Sequence, residues 1–313
     1  MPNPTGSLSR RDLWRRMRRS KLFVVGALTF LAAVLVCAFL PFALPHDPLG
    51  ADIGSRLQPP MWFSEGLAGH VLGTDALGRD ILTRMAVGGR ISLLVATSVV
   101  VLTTLVGLVL GLVSGYVGGI VDAVVMRLTD LALAIPTLLL GIAIVAVIGG
   151  GVLNLVVVLS LTGWMMMARV VRATVLSVRN HDFVNAARVA GLPTGRIIFQ
   201  EILPNVVAPM IIAATQAFGG MILTEASMSF LGLGVPEPMP SWGGMIAAGR
   251  EYIATSPFVV IVPGMALMIT VLAVNFIGDG LNDVLNPRIV DAPKRKRSKR
   301  RPQPDNKQGA NPT

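Results

Sequence analysis

Few residues of this chain are of a kind that does chemistry, and their spacing restricts what they can do. Two carboxylates, Asp75 and Asp80, fall in Gly73-Thr74-Asp75-Ala76-Leu77-Gly78-Arg79-Asp80. A cation site built on that pair has no histidine or further carboxylate in register, so helix capping is the expectation. Thr74 or Asp75 would cap a helix running toward Met85, with Asp80 and Arg84 an i,i+4 pair on it. The three histidines, His46, His70 and His181, lie far apart in sequence, which argues against a shared metal site. Cys37 is the single cysteine and has no partner for a disulfide. Met165, Met166 and Met167 are adjacent and point in three directions, which suits core filling better than a metal relay. No Gly-Lys pair occurs anywhere, so the phosphate-cradling loop of a nucleotide site is not encoded. Gly278-Asp279-Gly280 is expected to turn the chain, with Asp283 capping the next segment. No nucleophile stands with a base and an orienting acid, so the expectation is a non-enzyme that binds no cofactor and no metal.

The elements that position these residues are membrane helices. Of 313 residues, 53% are hydrophobic and 14% charged, and the mean hydropathy is +0.68, too apolar for a soluble domain of this size. About 20 apolar residues cross a bilayer core. Stretches of that order fall at roughly 22–44, 91–113, 123–149, 152–173, 206–231 and 257–278, which predicts an all-α integral membrane protein with six spans. Arg127 and Asp130 in the third stretch are placed at the headgroup level. The net charge of +10 gathers at the two ends, Arg10 to Lys21 before the first span and Lys294 to Arg301 after the last. The positive-inside rule then puts both termini in the cytoplasm and agrees with an even number of spans. Basic clusters in such places orient the chain or touch anionic lipid, and a nucleic-acid partner is not expected.

This divides the chain into a basic cytoplasmic segment, 1–21, a first transmembrane helix, 22–44, and an extracytoplasmic loop with short helices, 45–90. A five-helix core, 91–288, and a basic disordered cytoplasmic tail, 289–313, complete it. The outer loop has no positive bias, whereas the inner segment around 174–205 is arginine-rich. Trp62, Trp242 and Tyr252 are expected to anchor in the headgroup layer.

Within the inner segment, Asn185-Ala186-Ala187-Arg188-Val189-Ala190 reads as a short helix with small residues near one face. Gly191 supplies the positive φ that ends it and Pro193 prevents resumption. A second short helix with Ile197, Ile198 and Phe199 comes next, and Leu203-Pro204 opens the fifth span. Small and apolar residues beside arginines make a poor surface for water and a good one for a partner groove. Ala186-Ala187, Gly191 and Leu203-Pro204 at this spacing resemble the cytoplasmic "EAA" loop of ABC importer permeases. Asn185 stands where that loop carries Glu, and Glu201 where it carries an apolar residue. Other segments are similar to the second, C-type membrane subunit of the dipeptide, oligopeptide and nickel branch: Gly73 to Asp80 with Gly89-Arg90, Ser114 to Asp122, Thr224 to Gly234, Pro240 to Gly243, and Gly278 to Arg288.

The resemblance implies a type I ABC importer permease fold in which five spans form a core and the first packs outside it. It implies a non-catalytic subunit that passes peptides across the membrane, coupled to separate ATPases through Asn185, Ala186, Ala187, Arg188, Ala190, Gly191, Leu203 and Pro204. It also implies the partners: a homologous second permease, two ATP-binding subunits that hold ATP and Mg, an extracytoplasmic solute-binding protein, and a peptide. The same machinery importing nickel or another small solute is the alternative, and an autonomous secondary transporter is a different class. Gly107, Gly111, Ser114 and Gly115 would suit close pairing of the two permeases. Glu225, near the outer end of the fifth span, is costly there unless paired or facing a cavity. With Ser227 and Ser229 it either lines the translocation path or makes an interface hydrogen bond.

Overall fold

The computed structural model describes residues 10–63 and 69–285. The expectations for the basic tail and for the segment around Pro287-Arg288 lie outside the described residues. A basic helix α1 (Arg10–Arg19) leads into α2 (Lys21–Ala43), begun by Ser20, whose side chain accepts from the Phe23 amide. The long helix α3 (Ile81–Val117) is followed by α4 (Gly119–Leu133), α5 (Thr137–Ile148) and α6 (Val152–Val178). Then come α7 (Asp182–Val189), α8 (Thr194–Phe230), α9 (Trp242–Gly249) and α10 (Phe258–Leu285). Among the described residues every extended element is helical, because in lipid each backbone polar group must be satisfied within its own segment.

Helices α2, α3, α6, α8 and α10 are long and apolar enough to cross a membrane. The third expected span is instead a bent pair, α4 and α5, meeting at 86°. Pro136 lacks the amide that would continue α4 and biases Ile135 out of the helical region. Chain direction makes this pair one crossing. Gly107, Gly111 and Gly115 of α3 meet Met167, Val171 and Val175 of α6 in the same order, so those two helices run parallel. The segment between them must return through the bundle. The sixth crossing is therefore present, as a broken helix. Lys21 starts α2 at the end where α10 finishes, since Gly280 packs on Phe23 and Gly26 on Ala273. That end also carries α7 and is the elbow end of the molecule.

The small residues of α3 do not wait for a second subunit. Gly107, Gly111, Ser114 and Gly115 are all buried within this chain, spaced so that α6 lies against the α3 backbone. A Cβ on Gly111 would stand 2.7 Å from the Ala168 carbonyl oxygen and from Val171 Cβ. Gly111→Leu is expected to cost about 1–3 kcal/mol or more by overpacking. The check is the yield of monodisperse protein after detergent extraction, which should fall sharply beside wild type. Helix α2 packs on α10 and α3 from outside, with only Gly26 and Cys37 buried along it.

At the end opposite the elbow, the described residues of the outer segment before Asp80 form a knot rather than a set of helices, with one 3₁₀ turn among them at Ile53–Ser55. Asp75 Oδ1 accepts from the amides of Leu77 (2.8 Å) and Arg79 (3.0 Å), while Oδ2 receives Arg79 Nε (2.7 Å) and Arg84 Nε (3.3 Å). Gly78 has φ +74 and lies so close to the Asp52 carbonyl that no Cβ fits. The capping residue of α3 is Asp80, whose Oδ2 accepts from Thr83 N and Oγ1, so Arg84 pairs with Asp75 and not with Asp80. Helix α3 thus begins ten residues before the expected span, because Asp80 sets its first turn in the loop.

Three further expectations change. Gly278 and Gly280 continue α10 instead of turning the chain, since their small size admits α8 and α2. Trp242 is 2% exposed and donates from Nε1 to the Met85 carbonyl (3.0 Å), so it is a core residue. His46 and His70 come together with ring centroids 4.6 Å apart and planes tilted by 36°, while His181 lies at the elbow. Met165 and Met167 fill the core as expected, and Met166 faces outward.

Candidate functional site

The elbow is an eight-residue helix with one side chain as its root. Asp182 in its first turn and Arg188 in its last complement the helix dipole. Val184 is fully buried among Val175, Val178, Ile197, Ile202 and Val206. The helix closes in a Schellman turn. Gly191 N donates to Arg188 O (3.0 Å) and Leu192 N to Ala187 O (3.1 Å), with Gly191 at φ +77. Leu192 and Ala187, the two ends of that motif, are half-buried against the same apolar cluster.

The rest of α7 is open. Phe183, Asn185, Ala186, Arg188, Val189, Ala190 and Gly191 are exposed, Val189 to 90%. Of the alanines expected on one face, Ala186 and Ala190 are open and Ala187 turns inward. Asn185 Oδ1 accepts from Arg188 (3.3 Å), and the Arg188 guanidinium lies 5.7 Å from the Tyr116 ring centroid at the end of α3. The departure at Asn185 therefore serves the helix's own surface.

Leu203-Pro204 opens the α-helical part of the fifth span, with Pro204 in its first turn, but no break precedes it. Helix α8 runs unbroken from Thr194, and its turns at Ile197–Ile202 are π-helical. Leu203 N donates to Ile198 O, one residue wider than an α-turn, and this widening makes room for the Pro204 ring that would otherwise strike the preceding turn. Asn205 Nδ2 reaches back to the Glu201 carbonyl (2.7 Å). The elbow is thus bolted at one side to α6 and at the other to α8.

Ion pairs that sequence reading missed brace the same end. Arg172 forks onto Asp122 (2.5 and 2.6 Å), which also accepts from Ser114 (2.5 Å), tying α6 to α4 and α3. Arg179 Nη1 donates to the Gly115 carbonyl (2.7 Å), and Arg169 meets Asp130 (2.5 Å). The arginines were legible as a charge bias, but their partners lie about 40 to 60 positions away in sequence.

Glu225 lies far from the elbow, at 0% exposure near the end of α8. Its Oε1 accepts from Ser229 (2.8 Å), and Oε2 has no hydrogen-bond partner among the described residues. Ser229 is buried with it, whereas Ser227 is exposed and bonds back to Leu223 O. Glu225 thus meets no solute in this conformation. Since glutamine keeps the acceptor that Ser229 uses, Glu225→Gln is expected to leave assembly and uptake within about twofold of wild type. Uptake measured at matched protein level checks this.

A short helix of small, apolar and charged residues, fixed at its root and open on its other faces, can seat in a groove and pass displacement to the two spans that hold it. Comparisons with known proteins fit that geometry. Residues 107–291 match the family described as binding-protein-dependent transport system inner membrane component, and residues 9–60 match the N-terminal TM domain of oligopeptide transport permease C. The chain is 41% identical over 283 residues to the di/tripeptide transport system permease protein DppC of Pseudomonas aeruginosa, covering 90% of this chain and 93% of that one. It is 39% identical over 279 residues to the dipeptide transport system permease protein DppC of Alkalihalophilus pseudofirmus, covering 89% and 90%. With a buried-root elbow on a six-crossing bundle and similarity running nearly end to end, this chain belongs to the binding-protein-dependent transport system inner membrane components, as a multi-pass permease of the inner membrane.

Proposed function

We propose that this chain is one of two membrane subunits of an ATP-driven importer of peptides, and that α7 is where the ATPase engages it. The observation that carries the reading is the elbow's division of labour, with Val184 rooted and Ala186, Val189 and Ala190 open. The elbow face is the cytoplasmic one. Arg169, Arg172, Arg179 and Arg188 and the basic helix α1 all lie there, in keeping with the positive-inside rule. ATP and Mg are held by the partner ATPases, not by this chain, and an extracytoplasmic binding protein delivers cargo at the opposite face.

When the ATPases close on nucleotide, each elbow is carried with its groove. Because Val184 and Leu192 sit in the cluster shared by α6 and α8, the elbow cannot move without them. Biasing a two-state equilibrium from 1:99 to 99:1 needs about 5.5 kcal/mol of differential binding. Of Glu225, Ser227 and Ser229, Ser227 alone is open, in a groove lined by Leu223, Ala226, Phe230 and Gly243, and we assign it to the cargo path.

The test is reconstitution of the chain with its sister permease, its ATPases and its binding protein in liposomes. Labelled dipeptide should accumulate only with internal ATP and with all subunits present. Accumulation by this chain alone, or of nickel chelates without peptide, overturns the reading.

A further inference from the structure

Three side chains of the outer knot converge, and the capping of α3 by Asp80 uses only one of its two carboxylate oxygens. His46 leaves the end of α2, His70 comes from the far end of the loop, and Asp80 opens α3. One donor atom from each lies within 4.8 Å of the others. We propose that His46, His70 and Asp80 bind one divalent transition-metal ion of the Zn²⁺ class, which staples these three segments on the face opposite the elbow.

The donor set is two imidazoles and one carboxylate, the usual complement for Zn²⁺ when a fourth position is left to water. Asp80 is prepared for the part. Its Oδ2 is held by Thr83 N and Oγ1 (2.8 and 2.7 Å), so the carboxylate cannot swing, and Oδ1 is left facing His70 Nδ1 at 3.0 Å. A hydrogen bond between His70 and Asp80 explains those two residues and leaves out the third. His46 Nδ1 is buried and has no hydrogen-bond partner among the described residues, an arrangement that costs free energy unless something accepts its lone pair or proton. Its ring lies against that of His70, with centroids 4.6 Å apart and planes tilted by 36°. Tetrahedral coordination with bonds of about 2.0–2.1 Å puts ligand atoms about 3.3 Å apart, so the cluster, spread to 4.8 Å, needs to contract by about 1.5 Å at its widest.

Charge permits it. Of the neighbouring acids, Asp75 is already paired with Arg79 and Arg84, and Asp47 Oδ1 accepts from the Leu49 amide (2.9 Å), which leaves Asp80 as the one carboxylate of the cluster. Arg84 Nη1 also donates to the Pro48 carbonyl (2.9 Å), so the segment bearing His46 is already drawn onto the first turn of α3. A metal bond would complete that attachment. His70, at 17% side-chain exposure, leaves the site open to ions from outside.

The experiment uses the full chain purified with its partner subunits, stripped with a chelator, incubated with Zn²⁺, desalted and analysed for metal. Wild type should retain about one Zn²⁺ per chain and unfold several degrees higher with the metal. His46→Ala and His70→Ala should lose both effects, His181→Ala should keep them, and Mg²⁺ should not substitute. Retention by both histidine variants at the wild-type level, or none by wild type, overturns the proposal. Should a histidine variant fail to assemble, zinc titration of wild type decides alone, and the absence of a saturable site below about 10 μM is the contradicting result.

Discussion

Ala186→Glu is expected to abolish ATP-coupled uptake while the protein inserts, assembles its helices and is recovered at the wild-type level. Ala186 is on the open face of α7 and touches none of the cluster that roots the elbow. Glutamate is nearly as good a helix former as alanine, so the change costs the helix a few tenths of a kcal/mol at most. In an apolar groove the same carboxylate is unpaired and desolvated, at about 2 kcal/mol or more. That is a loss of about 30-fold or more in docking affinity, and coupled transport should fall at least that far. Basal ATPase activity should persist without stimulation by loaded binding protein. The neighbouring Ala187 is a poorer probe, because it is half-buried on the root cluster and a charge there damages fold and docking together.

Asp75→Ala should fail earlier, at folding. Its side chain is 11% exposed, and it neutralises Arg79 and Arg84, whose side chains are 6% and 3% exposed. Removing one partner of a buried pair costs about 3–5 kcal/mol, because the remaining charges stay buried without compensation. Here two guanidiniums lose their buried carboxylate, Arg79 keeping only the exposed Glu237 (3.6 Å) and Arg84 the Pro48 carbonyl (2.9 Å), and the amides of Leu77 and Arg79 lose their acceptor as well. Little monodisperse protein should survive extraction, and protease should cut the outer segment. Asp75→Asn keeps an acceptor for the amides and should fall between the two. Wild-type yield and protease resistance in Asp75→Ala would show that the knot does not hold the outer segment.

The spans and the elbow were legible in the sequence because lipid imposes length and apolarity, and because Gly191 followed by Pro193 marks a helix end. The break in α4 and α5 was partly legible too, since Ile135-Pro136 stands in the middle of the apolar stretch. Hydropathy alone cannot distinguish a bend there from a continuous helix. The extension of α3 back to Ile81 was missed because hydropathy registers the apolar run, whereas capping by Asp80 starts the helix in the polar loop before it. The glycines of α3 could be read as a close-packing stripe, but their partner could have been either this chain or a second subunit. Pairings across long separations stayed hidden for the same reason. Arg172 with Asp122, and His46 with His70, are joined only once the bundle closes and the outer segment folds over it.

The central claim is that α7 seats in the ATPase, and single-cysteine crosslinking tests it most directly. Cys37 is the chain's one cysteine and is buried, so its replacement by alanine gives a clean background. Val189→Cys, at a position of the elbow that is 90% exposed, should then crosslink to a cysteine in the groove of the ATPase within the assembled transporter, and the yield should change when ATP is added. Met166→Cys, exposed on α6 outside the elbow, should give no such product. Equal crosslinking from both positions, or none from Val189→Cys in an importer that still transports, would contradict the account.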